Sequence, residues 1–269
     1  MKRIQLFEFE DFNWFPAWMR AAMTNLIVVL HKILGTKEAV ISTLNIAQEK
    51  HPFHRIVDMG SGSGGIMPIA VEALNSERKG EEISLLLTDL HPNQSYIQQI
   101  EEQNIPNLSY SSTSLDATNL ATAPEGLKTM SNSFHHMPPK QAKAILKSAQ
   151  DNRQALVIYE IAENKIPLLA WWIFLPISLA IVFIMALVMT PFCKNLTLKQ
   201  LIFTYLIPII PLAYAWDGQA SLPRMYTFDD IKNYLLPEKV EGYEWSMAPA
   251  LKKDGKSVGY YVIGTPISE

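Results

Sequence analysis

Cysteine is almost missing from this chain. Cys193 is the single one among 269 residues, which excludes an internal disulfide and a thiolate-based metal site. A basic excess is missing too. Twenty-three Lys and Arg face 26 Asp and Glu, for a net charge of −3. No Lys/Arg-rich run forms a phosphate-binding stripe, so nucleic acid is not expected as substrate or partner. The opening residues, Met1 to Glu8, lack the long apolar core of a secretory signal. The catalytic part is therefore expected in the cytoplasm. Charge itself is missing from two stretches. Ile166 to Cys193 runs 28 residues without one, and Gln200 to Trp216 adds 17 more.

What is present reads as four zones. Residues 1–54 form an aromatic-rich helical lead-in, with a helix expected from Ala17 to Leu34 between Pro16 and Gly35. Residues 55–162 alternate strand and helix signals: strands at 55–59, 83–89, 108–111, 128–133 and 155–160, with helices between. That alternation predicts an α/β domain with a mostly parallel sheet. Residues 163–223 are an apolar insertion. Residues 224–269 supply a helix start near Phe228 and two closing strands joined at Asp254-Gly255, a hairpin turn signal.

The strongest local signal is Asp58-Met59-Gly60-Ser61-Gly62-Ser63-Gly64-Gly65. Glycine lets the chain turn sharply off a strand and lets backbone N–H groups approach a ligand closely. Read as Gly60, Gly62 and Gly65, the loop fits the dinucleotide pattern G-x-G-x-x-G. Read as Asp58, Gly60, Gly62 and Gly64, it resembles motif I of the class I S-adenosylmethionine (SAM)-dependent methyltransferases. Asp89 ends the second strand, where a carboxylate can accept both hydroxyls of a ribose. Both cofactor classes want that acid. Ser114-Leu115-Asp116-Ala117 follows the third strand and resembles the methyltransferase segment whose Asp accepts from the adenine amino group. Viewed alone, Asp116 reads equally well as a helix N-cap.

The resemblance covers roughly residues 55–162 and the closing hairpin. It implies a Rossmann-like sheet with an antiparallel ending, an N-terminal helical lid, and SAM as cofactor with S-adenosylhomocysteine as product. It also implies a cofactor site at Asp58, Gly60, Gly62, Gly64, Asp89 and Asp116. In that family the end of the fourth strand faces the transferable methyl group. Here that place is held by Ser133-Phe134-His135-His136. His135 or His136 is the candidate general base, since histidine titrates near neutral pH; the alternative is a pair of packing residues. No metal site is expected, because adjacent histidines tend to point apart and no partner cluster is evident.

Four further residues are candidates for the substrate pocket: Trp14 and Arg20 in the lead-in, Glu160 at the end of the fifth strand, and Asp217 after the uncharged stretch. Each has a plainer reading. Trp14 and Arg20 would pack the lead-in, Glu160 would pair with a base such as Lys165, and Asp217 would mark the water boundary.

Leu168 to Met189 is 22 uncharged residues with Trp171 and Trp172 near one end, long enough to cross hydrocarbon and suited to an interfacial belt. The second arm, 201–216, is interrupted by Pro208 and Pro211. The expectation is a hairpin that dips into one leaflet from the cytoplasmic face of a membrane. An insertion at this point suggests a cap for a hydrophobic small-molecule or lipid-like acceptor. Two rivals stand beside this reading: a soluble cytoplasmic methyltransferase whose hairpin is a homodimer interface, and a membrane protein that binds SAM or a nucleotide without turnover.

Overall fold

The computed structural model describes residues 1–78 and 80–267. The chain forms two compact units: Gly35–Ala162 with the chain from Phe228 on, and Met1–Leu34 with Glu163–Thr227.

The first of these units is the α/β sheet. Its strands are β1 (Arg55–Met59), β2 (Ser84–Thr88), β3 (Leu108–Tyr110), β4 (Leu127–Ser131), β5 (Leu156–Glu160), β6 (Tyr243–Leu251) and β7 (Ser257–Pro266). They lie side by side in the order β3-β2-β1-β4-β5-β7-β6. The first five are parallel, and β7 pairs antiparallel with both β5 and β6. This is the antiparallel ending that the sequence resemblance implied. The reversal of strand order falls between β1 and β4, and α/β sheets bind ligands at the carboxyl ends beside such a switch point.

The sequence explains the layering. Ile56, Val57, Leu85, Leu87, Val157 and Ile158 are buried, as a near-continuous apolar run in a sheet covered on both faces must be. Helices α2 (Thr36–Lys50), α3 (Met67–Ser76), α4 (Gln94–Gln103) and α5 (Pro139–Asp151) supply the cover. Each turns an apolar stripe inward: Ala39, Val40, Leu44 and Ala47 on α2, Ala142, Ile145, Leu146 and Ala149 on α5.

The second unit is helical. It contains α1 (Ala17–Leu34), α6 (Leu168–Met189), a short helix α7 (Leu198–Leu206) and α8 (Ile209–Arg224). Helix α6 continues through Pro176. The second arm is broken: α7 and α8 meet at 80° across Ile207 and Pro208. Met19, Met23, Leu26 and Val29 of α1 share a core with Ala186, Met189, Ile210 and Ala213 of the hairpin.

The N-terminal segment is tied to α8 by charge. The Arg224 guanidinium is fully buried and pairs with Glu8 at 3.1 Å and Asp11 at 2.6 Å. Arg3 stands over the Tyr226 ring at 4.8 Å. A guanidinium out of water is tolerated only where its charge and donors are matched.

Gly259 shows how tightly the antiparallel ending is fitted. Its φ is +78°, and a Cβ there would lie 1.9 Å from the Glu160 carbonyl oxygen. Gly255, in the β6–β7 turn, has a φ of +80° with open space around it. Both would suffer backbone strain on gaining a side chain, but only Gly259 would collide. Gly259→Ala is expected to lower stability by about 2 kcal/mol more than Gly255→Ala. Parallel denaturant titrations of the two variants check this, and equal losses would show that β7 can draw back from β5 without cost.

Candidate cofactor and catalytic site

The carboxyl ends of β1, β2 and β4 are held together through one buried residue. Asp58 accepts from Ser61 Oγ at 2.7 Å through one carboxylate oxygen and from Thr129 Oγ1 at 2.6 Å through the other. Its backbone carbonyl accepts from Thr88 Oγ1 at 2.8 Å, and Ser61 N donates to the Thr88 carbonyl at 3.0 Å. Asp58 therefore fixes where the glycine loop leaves the sheet.

Beyond that latch the loop turns on its glycines, with the Ser63 hydroxyl accepting from Asn93 Nδ2 at 3.0 Å. Gly62 has φ +50°, and a Cβ there would meet nothing within 4 Å. Its carbonyl accepts from Tyr110 OH at 3.1 Å and its N–H donates to Asp89 Oδ2 at 3.0 Å. Gly60 and Gly64 are closed in by neighbours instead. A Cβ on Gly60 would reach Ser133 at 3.3 Å, and one on Gly64 would strike the Tyr96 hydroxyl at 2.4 Å. The loop is thus open at Gly62, beside Asp89, and at Gly65.

Asp89 is half-buried and also accepts from His91 N at 2.8 Å. Its carboxylate keeps lone pairs for a ligand's hydroxyls, since each oxygen uses one of about two. The β3 loop comes alongside: Leu115 N donates to the Asp89 carbonyl at 3.0 Å and Ser114 Oγ to the Leu90 carbonyl at 2.7 Å. Asp116 is exposed, its Oδ1 accepting from Thr118 N at 2.8 Å and Thr118 Oγ1 at 2.7 Å. Gly60, Gly62, Asp89 and the 114–116 segment therefore border one region of the sheet edge.

The histidine segment is anchored from β5. Glu160 is fully buried, and its two oxygens meet His135 N at 2.9 Å and His135 Nδ1 at 2.8 Å. Asn132, with φ +54°, accepts from Ile161 N at 2.8 Å and completes the β4–β5 junction. The Nδ1-protonated tautomer is the one that donates to an ionised Glu160, and in that tautomer Nε2 is the ring's acceptor atom. The rings of His135 and His136 lie 4.3 Å apart at 37°. They lie beside each other where divergence was expected, because both belong to one tight helical turn, Phe134–His136.

Trp14, Arg20 and Asp217 belong to the other unit and converge on its N-terminal segment. Asp217 accepts from Phe9 N at 2.8 Å and Glu10 N at 3.2 Å. Arg20 Nε donates to the Glu10 carbonyl at 3.0 Å, and a second guanidinium nitrogen donates to Phe12 O. Trp14 stacks on Phe12 with centroids 5.5 Å apart. All three brace the chain between Phe9 and Phe15. Ser61, Thr129, Tyr96 and Tyr110 shape the loop and were missed by sequence reasoning. Tyr110 ends a strand, like Asp89, which is the one signal that could have marked it.

Burial lifts the Asp58 carboxyl to about 7, with the Asp89 charge adding to the rise and the Thr129 and Ser61 bonds opposing it. An acid whose folded value exceeds its unfolded 3.8 binds its proton more tightly when folded. Its stabilising contribution is present at low pH and is lost as pH rises through about 7. Asp58→Asn copies the neutral form. The native chain is therefore expected to lose stability relative to Asp58→Asn between pH 5 and pH 8, read by urea titration at both values. A constant difference would mean that the latch is ionised throughout.

No protein-family model and no curated protein matches the chain. Solved structures do. The plantazolicin methyltransferase BpumL, in complex with S-adenosylhomocysteine, aligns with a TM-score of 0.52 at 11% identity, over 94% of this chain and 96% of its own. Human N-acetylserotonin methyltransferase, in complex with SAM, aligns with a TM-score of 0.43 at 11% identity, over 94% of this chain and 55% of its own. By its strand order, its antiparallel ending and the likeness to BpumL, the chain has the fold of the class I SAM-dependent methyltransferases.

Proposed function

We propose that the protein is a SAM-dependent methyltransferase that modifies a small hydrophobic or lipid-like acceptor at the cytoplasmic face of a membrane. The observation that carries the chemistry is the joint placement of the bare Gly62 backbone, the half-buried Asp89 carboxylate and the His135–Glu160 pair at the carboxyl ends of parallel strands.

The residues present fit the cofactor. At Gly62 there is the open space that a side chain would fill, and Asp89 offers acceptors for two hydroxyls. Gly60, Gly62 and Gly64 would hold the cofactor against the loop, Asp116 would accept from its amino group, and Asp58 would keep the loop in place. When bound, SAM supplies an electrophilic methyl group and leaves as S-adenosylhomocysteine. The chain's own part is to align the acceptor and take its proton. His135 Nε2 accepts that proton, and the buried Glu160 carboxylate stabilises the imidazolium that results. His136 borders the same turn and would line the acceptor's approach. Asp217, Trp14 and Arg20 would shape the cap through the segment that they brace.

The membrane part rests on α6. It is apolar all round, yet only 22% of its most apolar window is buried. Leu169, Ile173, Ile177, Ile181, Ile184 and Val188 form an exposed stripe. A helix of this kind needs an apolar environment on its open side. At about 33 Å for 22 residues, α6 also matches the hydrocarbon thickness of about 30 Å.

Calorimetric titration of detergent-purified protein with S-adenosylhomocysteine, with NAD and NADH as controls, tests the cofactor reading. Binding is expected for the first alone, weakened roughly 10- to 100-fold by Asp89→Ala, as loss of charged hydrogen bonds implies. Binding of NAD instead would overturn it. A methylation screen of membrane lipid extracts then tests turnover. His135→Ala is expected to lower the rate roughly 100-fold or more with cofactor affinity kept. Cofactor binding with no methyl transfer would favour a binding protein without turnover. Full recovery without detergent, as a dimer, would make the hairpin a subunit interface.

A further inference from the structure

The helical unit is as unusual in charge as in hydropathy. Between Phe12 and Leu34, and again between Asn164 and Trp216, there is no Asp or Glu. The same stretches carry Arg20, Lys32, Lys165, Lys194 and Lys199. The whole chain is net acidic at −3, so this part stands apart from the rest. The unit's acids are gathered elsewhere, at Glu8, Glu10, Asp11, Glu163 and Asp217, and there they are engaged. Glu8 and Asp11 pair with Arg224, Asp217 accepts from two backbone N–H groups, and Glu163 pairs with Lys165 at 3.0 Å.

The lysines bracket the apolar surface. Lys165 precedes α6 and its side chain is 74% exposed. Lys194 and Lys199 follow α6 and are exposed, and Lys32 is exposed in the last turn of α1. The Lys199 ammonium stands 4.0 Å over the Trp18 ring, an aromatic–cation pair of the kind found where apolar and charged layers meet. Long lysine stems can lie along apolar surface while their ammonium groups reach a headgroup layer.

We propose that this face docks on a bilayer carrying anionic phospholipid headgroups, with Lys32, Lys194 and Lys199 reading the charge while the α6 stripe enters the acyl layer. The inference rests on the membrane reading above and adds the lipid class. An acid-free basic rim around an apolar stripe gains Coulomb energy from anionic headgroups and nothing comparable from zwitterionic ones. The enzyme would then meet its acceptor where anionic lipid is dense, whatever the acceptor is.

Vesicle flotation of the full chain tests this. One set of vesicles is phosphatidylcholine alone, and the other contains about one third phosphatidylglycerol. Binding to the anionic set is expected to be tighter, and to weaken towards the neutral level as salt is raised. In Lys32→Gln/Lys194→Gln/Lys199→Gln the preference is expected to fall about fivefold for each lysine that reaches the surface. Unchanged S-adenosylhomocysteine binding would show that the variant is folded. Ile177→Ser/Ile181→Ser is expected to weaken binding to both sets. Equal binding of the native chain to both sets overturns the lipid preference and leaves membrane association standing. Binding to neither overturns both.

Discussion

The Asp58 carboxylate is the point on which the site's geometry depends. It is 3% exposed, and its two oxygens hold the glycine loop through Ser61 and the neighbouring strand through Thr129. Thr88 closes the arrangement by bonding to the Asp58 carbonyl. Three strand ends are thereby fixed in relation to one another by side chains that no regular ladder would supply. Burial pushes the acid towards its neutral form, and hydroxyl donors push it back. A polar group so placed is costly unless all its partners are present, which makes the loop's conformation close to all-or-none. Gly60, Gly62 and Gly64 take positive φ in this loop, which the missing Cβ permits at little cost.

A second constraint orders the other side of the site. Glu160 ends β5 fully buried, and both of its oxygens go to His135. Gly259 of β7 lies so close to the Glu160 backbone that a Cβ there would collide with its carbonyl oxygen, and β7 pairs with β5 along to Glu160. The base candidate is thus supported by a strand end, and the strand end by the closing hairpin. This dependence runs from β7 through Glu160 to His135 and explains how a part distant in sequence bears on the chemistry.

How much of this was legible beforehand follows the range of the interactions. Helices α1 and α6 have the bounds expected from Pro16, Gly35 and the uncharged run, because local composition determines them. The glycine loop and Asp89 were legible because ligand geometry forces a short, dense pattern of residue types. The Glu160–His135 bond joins residues 25 apart, and Arg224 meets Glu8 and Asp11 across more than two hundred. Pairings of that kind leave no periodicity behind. Asp217 was conspicuous for its abrupt charge, but its partners are backbone N–H groups, which are present at every position and so cannot be read from residue types. Adjacent histidines were expected to point apart, but a tight helical turn brings the rings of His135 and His136 within 4.3 Å.

The place of the insertion follows from the sheet's topology. The chain leaves the sheet after β5 and returns at Phe228, yet β5's hydrogen-bond partner is β7, the last strand. No short hairpin joins β5 to its neighbour, so the connection between them is free to lengthen. The entropy of closing a loop grows only with the logarithm of its length, about 0.6 kcal/mol per doubling. A long segment can therefore be accommodated there for little, provided that it packs on its own. Helices α6 and α8 meet that condition together with the N-terminal helix α1, with which they share a core. The apolar and basic character of this segment is then independent of the sheet's needs. The geometry of the glycine loop stays with Asp58, Gly62 and Asp89, all within the sheet unit.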